Sequence, residues 1–349
     1  MKESTQVKYS NLLRSYILPN LGMQAIQTLT HEKLESVCNN LLVKGGTRGT
    51  GLSPKTVSDC LTLIRSILRH SANCGIPPLC NGKSIAIKQH FHEMRVLSHS
   101  EQERLCQYLY KHFNERNMGI LICLFMGLRI GEICALKWEN ISFIDQTLCV
   151  QYTMQRIQNQ NSKDKKTKIL VTSPKSACSI RTIPIPDALF HLLSGCRKPE
   201  SAYILTGAAD RYVEPRTMQN HFRQVLQACA IESANYHSLR HTFATRCVEL
   251  GFDIKSLSEI LGHASVTITM NRYVHPSMEL KRQNMMRLSS IIAAKQQIRE
   301  GGRRQEATQS KILYEKLTLY TTTGFRYNFL NPVAFCPKTR RIFNCLSKS

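Results

Sequence analysis

ILICLFMGLRIGEICALKWENISFIDQTLCVQYT, residues 120–153, carries three structural signals in a row. Ile120 to Met126 is an unbroken apolar block of core-helix length that ends at the turn Gly127-Leu128-Arg129. GEICALKW then reads as a short helix. ISFIDQTLCVQYT alternates around Asp145-Gln146, which is the pattern of a hairpin. Upstream, Ser98 and Glu101 form a capping box ahead of QERLCQYLYKHF, so a domain that mixes helices with short hairpins begins near residue 98. Downstream, ILVTSPKSACSIRTIPIP reads as two more short strands around a turn, and the lysine-rich NSKDKKTK before it as a mobile loop. Helices resume at Asp187 and Pro215 and continue through HSLRHTFATRCVELG, DIKSLSEILGH and the segment that holds Tyr273.

The first segment is helical throughout. Thr30 caps HEKLESVCNNLLVK and Gly45 follows its end, while Ser53-Pro54 opens a helix that Gly75 closes. Val57, Leu61, Ile64 and Leu68 form one apolar stripe on that helix, which leaves Lys55, Arg65 and Arg69 free to face DNA. SIAIKQHFHEMR, between Gly82 and Arg95, has no clear period and reads as a basic connector. SMELKRQNMMRLSSII, from Ser277 to Ile292, reads as a helix able to dock on a neighbour, and the remainder to residue 349 is a poorly periodic tail. The expected organisation is a helical domain over 1–81, a linker over 82–97, a mixed helical domain over 98–292 and a tail over 293–349. The fold class is mainly α, within α+β.

Composition narrows the function. Lys and Arg total 47 against 24 Asp and Glu, a net charge of +23, which calls for a polyanionic partner and makes nucleic acid the leading one. No apolar run approaches the ~20 residues of a membrane span. The amino terminus lacks a signal-peptide core, so the expected location is the cytoplasm. The 14 cysteines show no C-x-x-C spacing and are expected as reduced thiols.

The second domain presents, in order, Gly127-Leu128-Arg129-Ile130-Gly131-Glu132, Pro174-Lys175-Ser176, His237-Ser238-Leu239-Arg240-His241, Leu261-Gly262-His263 and Tyr273-Val274-His275. This ordered set resembles the catalytic domain of the tyrosine recombinases, or phage integrases, over roughly Ser98 to Leu288. The first segment, especially YSNLLRSYILPNLG, is similar to that family's core-binding domain. The resemblance implies a site-specific recombinase acting on double-stranded DNA attachment sites as a homotetramer on paired sites, with accessory DNA-bending proteins as further partners. It implies a covalent 3′-phosphotyrosine and no metal, ATP or other cofactor. A family integrase often has a further amino-terminal domain for accessory DNA arms, and the position of the first core-binding helix implies that it is absent or truncated here.

Elementary chemistry makes the same demands on these residues. Attack on a phosphodiester concentrates negative charge on the nonbridging oxygens, so fixed positive donors are required. Arg129 and Arg240 supply planar, permanently charged forks. Tyr273, an ordinary phenol with a pKa of about 10, is the nucleophile and is expected to be activated by the two arginines. By resemblance Lys175 is the general acid for the leaving 5′-oxygen, on a hairpin that reaches the minor groove. By resemblance His237 donates to the phosphate or assists proton transfer from the tyrosine, and His263 supplies another donor to a nonbridging oxygen, while Glu132, which has the wrong charge to bind phosphate, orients the cations. Each residue alone has a plainer reading: a packed tyrosine, a surface arginine, a structural histidine. His237 and His241, four residues apart, could also suggest zinc, but Ser238 stands where a metalloprotease helix needs glutamate, so no metal is expected. Two other functions would use the same scaffold, a noncatalytic DNA-binding regulator and a nicking-closing enzyme of the topoisomerase IB type.

Overall fold

The structure is a computed structural model that describes residues 2–46, 49–89, 94–159, 166–173 and 177–274, together with 278, 281, 282, 285 and 286. Residues 1–275 form one compact unit and 276–349 a second. In the second, the described residues Met278, Lys281, Arg282, Met285 and Met286 are helical. The rest of the expected docking helix, and the tail, lie outside the described residues.

The chain begins with α1 (Glu3–Leu12), which widens into a π turn over Leu13–Ile17 and continues as α2 (Leu18–Leu21). α3 (His31–Lys44) starts where the Thr30 hydroxyl accepts from the Lys33 amide, and α4 (Pro54–Asn73) where Ser53 accepts from Thr56. Both caps satisfy amides that the first helical turn leaves unpaired. Leu34, Val37 and Leu41 of α3 pack with Val57, Leu61, Ile64 and Leu68 of α4 in a core separate from that of the following residues. Arg65 is not free, contrary to the sequence reading: its guanidinium donates to the carbonyls of Gly82 and Ile85 at 2.9 and 2.7 Å. Ile85 is itself buried in this core, so the connector is pinned back onto α4. Lys55 pairs with Asp59 one turn on, and Arg69 is exposed.

α5 (His99–Lys111) opens with the Ser98–Glu101 capping box, and α6 (Glu115–Met126) with Asn114 accepting from two amides. α6 is buried on all sides from Asn117 to Leu124, which is why its sequence shows no amphipathic stripe. It stops at Gly127, whose φ of +66° suits only glycine at ease. The chain then runs extended through Arg129 into α7 (Ile130–Ala135).

Two small sheets follow. β1 (Ile141–Ser142) and β2 (Thr147–Val150) close the hairpin around Asp145-Gln146. β3 (Thr153–Gln158) pairs with β4 (Thr167–Thr172), Met154 opposite Val171. β5 (Arg181–Pro184) pairs with β2, Leu148 opposite Ile183. The two strands read as partners around Pro174–Ser176 therefore lie in different sheets. The buried face of β5, Arg181 and Ile183, continues that of β2, Leu148 and Val150, while β4 has no fully buried residue and completes an outer ribbon. An ion pair between Lys168 on β4 and Glu3 ties that ribbon to α1.

α8 (Asp187–Gly195), α9 (Pro215–Ala228) and α10 (His237–Glu249) complete the main core, in which Phe222, Leu226 and Leu239 pack with the α6 side chains. α11 (Ile254–Leu261), capped by Asp253, and α12 (Val266–Tyr273), capped by Ser265, form a satellite core with α10 through Ala244, Cys247, Leu257, Leu261 and Tyr273. The architecture is mainly helical with short antiparallel strands, and among the described residues no helix is long and apolar enough to cross a membrane.

Gly127 sets the exit from α6: a β-carbon there would sit 2.5 Å from the Phe243 ring. Gly127→Ala is expected to cost about 3 kcal/mol, the sum of a left-handed backbone penalty and an overpacking penalty. Urea unfolding followed by circular dichroism measures this, and a loss below about 1 kcal/mol contradicts it.

Candidate active site

The elements that meet behind Gly127 bring a group of cations together. Arg240, on the first turn of α10, is 1% exposed. Its guanidinium donates to the Gly127 carbonyl at 2.8 Å and to the Leu261 carbonyl at 2.6 Å. These carbonyls terminate α6 and α11, where helix dipoles favour a cation. Burial, followed by the charge of Arg129, pulls the Arg240 pKa down to about 9, so it stays protonated at neutral pH.

Arg129 precedes α7 and is bound from both sides. It donates to Glu132 at 2.7 Å and to the Gly262 carbonyl at 3.1 Å, while Glu132 accepts the Arg129 backbone amide at 2.9 Å. The Glu132 carboxylate is almost fully buried and also receives Arg181 through two hydrogen bonds of 3.1 and 2.8 Å. Arg181 in turn donates to the Ile260 carbonyl at 2.6 Å. One carboxylate thus links α7, β5 and the end of α11. Burial pushes the Glu132 pKa up, but the Arg181 hydrogen bonds and the charges of Arg181 and Arg129 outweigh it, and the net shift is downward.

Arg129, His237, Arg240, His263 and Arg272 line a cleft of about 310 Å³, with Ser179 on its wall. His263 follows Gly262, whose φ of +63° turns the chain out of α11. Its Nδ1 is 2.8 Å from the Thr269 hydroxyl. With Thr269 as donor, the neutral ring keeps its proton on Nε2. Desolvation, and then neighbouring arginines, lowers the pKa of His263 to about 3 and that of His237 to about 4. Both imidazoles are therefore neutral at physiological pH, each with one N–H to offer.

Tyr273, the last residue of α12, follows the lining residue Arg272 and is 7% exposed. Its ring is nearly parallel to that of His263, with 6.4 Å between centroids. Its hydroxyl is 2.9 Å from Nδ1 of His241. The sequence reading, in which the arginines make this phenol more acidic, needs correction. Desolvation is the largest influence and outweighs Arg240, Arg272 and Arg129, so the phenol pKa is raised. Lys175 and His275 lie outside the described residues.

Of the sequence candidates, Arg129, Glu132, His237, Arg240, His263 and Tyr273 come together here, whereas Lys55, Arg65 and Arg69 belong to α4, far along the chain. Arg272 and His241 were not given a role in the site from sequence. Arg272 could have been suspected because it adjoins Tyr273 on the last turn of its helix. His241 falls one turn after His237, the spacing that had suggested only a metal pair.

A model of the phage integrase family matches residues 95–280. Over 301 residues the chain is 27% identical to a XerC-like tyrosine recombinase of Caldanaerobacter subterraneus subsp. tengcongensis, covering 78% of this chain and 74% of that protein. It is 28% identical over 181 residues to the tyrosine recombinase XerA of Pyrococcus furiosus, covering 50% of this chain and 55% of that one. Among solved structures, the Tn1549 transposon integrase in complex with a circular intermediate DNA superposes with a TM-score of 0.66 at 20% identity, over 82% of this chain and 94% of that one. A lambda integrase dimer bound to a core site gives 0.57 at 15% identity, over 78% and 89%.

Glu132→Gln leaves the buried Arg181 without its anion and is expected to cost about 3 kcal/mol at neutral pH. Because the folded-state pKa of Glu132 lies below its ordinary 4.5, this contribution is present above that value and is lost as pH falls through the folded pKa. Urea unfolding of both proteins should show the gap narrowing in acid, and a constant gap contradicts the assignment.

Proposed function

The chain belongs to the phage integrase family and is a tyrosine-type site-specific DNA recombinase, and from that premise we propose the role of each residue in the cleft. A DNA phosphodiester enters with its nonbridging oxygens toward the unspent N–H groups of Arg129 and Arg240, joined by His237 and His263. The Tyr273 hydroxyl attacks phosphorus, forming a 3′-phosphotyrosine and releasing a 5′-hydroxyl strand that takes a proton from Lys175. The incoming 5′-hydroxyl reverses these steps on the partner strand. The bond energy is held in the phosphotyrosine, so rejoining needs no ATP, and the guanidiniums supply the charge that a metal would otherwise bring.

The observation that supports this most is the convergence of three guanidiniums, of Arg129, Arg240 and Arg272, and two neutral imidazoles on one cleft, with Tyr273 next in sequence to Arg272 and its hydroxyl 2.9 Å from His241. Glu132 fixes Arg129 and Arg181 without touching substrate. Residues 1–81 form the core-binding domain and 98–292 the catalytic domain, joined by the 82–97 linker, so that the two grip the duplex between them. Lys55 and Arg69 are its proposed phosphate contacts. The working assembly is a homotetramer on two paired sites; a lambda integrase forms a tetramer bound to a Holliday junction. Accessory DNA-bending proteins assist it, and the reaction takes place in the cytoplasm, on the nucleoid.

The test uses nicked suicide duplexes carrying a site selected from random sequence by binding to the full chain. A covalent adduct is expected to form in EDTA and to be absent from Tyr273→Phe, and Arg240→Lys is expected to slow it by about 10²-fold or more because the fork is lost. A metal requirement, or tight specific binding with no adduct, overturns the proposal. With a net charge of +23, affinity should also fall linearly on a log–log plot against salt, and a flat plot contradicts backbone-dominated binding.

A further inference from the structure

The Tyr273 hydroxyl needs somewhere to send its proton, and the cleft residues offer poor choices. Arg129 and Arg240 are donors only. His263 has Nδ1 2.8 Å from the Thr269 hydroxyl, and its ring lies parallel to the tyrosine ring with 6.4 Å between centroids. His237 holds its ring edge-on to His241, 4.5 Å between centroids. His241 is the histidine whose nitrogen reaches the hydroxyl, at 2.9 Å, in a pocket where it is 6% exposed.

We propose that His241 is a further catalytic residue of the cleavage reaction: its Nδ1 accepts the phenolic proton of Tyr273 as the oxygen attacks phosphorus. The inference rests on Tyr273 being the nucleophile. In the forward step the Tyr273 Oη–P bond forms, the P–O5′ bond breaks, the phenolic proton moves to Nδ1 and the 5′-oxygen is protonated by the general acid. In the reverse step the imidazolium returns its proton to the departing phenol, so one residue serves cleavage and rejoining.

The surroundings suit that role. The groups facing His241 are His237 and Arg240 on its own helix and Tyr273 and Arg272 on α12. Burial, then His237, Arg272 and Arg240, lowers its pKa to about 4, so in the resting protein the ring is neutral with a lone pair available. The phenol is neutral too, its pKa raised. With the Tyr273 hydroxyl as donor and Nδ1 as acceptor, the tautomer this role requires, the ring proton sits on Nε2. An arriving phosphate anion favours the imidazolium and disfavours a free phenolate, so the transfer is driven during attack and not before it.

The experiment compares the full chain with His241→Asn and His241→Ala on two suicide duplexes, one ordinary and one with sulfur in place of the bridging 5′-oxygen. A thiolate leaves without needing a proton, so Lys175→Ala should regain activity on the sulfur substrate. His241→Asn, which can accept a hydrogen bond but not a proton, is expected to slow adduct formation about 10²-fold on both substrates with DNA affinity unchanged. In a Tyr273→Phe background, cleavage by hydrogen peroxide as an external nucleophile should not respond to the Asn change. Three results each overturn the proposal: wild-type rates for His241→Asn, rescue of that variant by sulfur, or an equal loss in the peroxide reaction. An adduct formed by Tyr273→Phe instead removes the nucleophile assignment itself, which is a distinguishable failure.

Discussion

The cleft depends on a guanidinium with almost no surface of its own. Arg240 is held by the carbonyls that end α6 and α11, and those two helix ends deliver Arg129 and His263. Burying a cation costs several kcal/mol, and helix-end carbonyls offset part of this without cancelling the charge. A carboxylate partner would have neutralised it. The result is a fixed positive group whose remaining N–H groups are available to an anion, the arrangement in which charge stabilisation needs no reorganisation at the moment of reaction.

Glu132 solves the complementary problem of keeping several arginines close together. One buried carboxylate bridges Arg129 and Arg181, and Arg181 bonds onward to Ile260 beside the Arg240 anchor. Repulsion among Arg129, Arg181, Arg240 and Arg272 is thereby reduced at its back and left unbalanced at its front. The same excess appears in the three histidine pKa values, each lowered by desolvation first and further by neighbouring arginines. Two glycines at positive φ, Gly127 and Gly262, are the backbone cost of bringing the helix ends this close.

Local features were the legible ones. Thr30, Ser53 and Ser98 could be recognised as caps because a cap is set by a hydroxyl and an amide three residues on. The company kept by Arg129, His237, Arg240, His263 and Tyr273 was suggested by the order of motifs, which reflects a resemblance and not a geometry. The partners of β4 and β5 were hidden because strand pairing depends on which buried face completes another, here Ile183 opposite Leu148. Arg65 looked free because the carbonyls it binds are 17 and 20 residues away and carry no side-chain signal. The direction of the Tyr273 shift was hidden for a different reason. Sequence lists the cations near a phenol, whereas the shift also depends on how much water the fold removes from it.

That balance bears on when Tyr273, the proposed nucleophile, can ionise. Activation by cations alone would produce a phenolate before DNA arrives, and the phosphate entering the cleft would then meet a second anion. Both are stabilised by the same arginines, so binding one weakens the hold on the other. Burial of Tyr273 and His241 removes the conflict by keeping both neutral in the resting protein. Substrate binding then changes the sign of the problem: negative charge in the cleft makes a proton on His241 cheaper while making a free phenolate dearer. In the proposed reaction, ionisation is coupled to bond formation, and a hydroxyl that is inert without DNA becomes nucleophilic only when a phosphate is present to receive it.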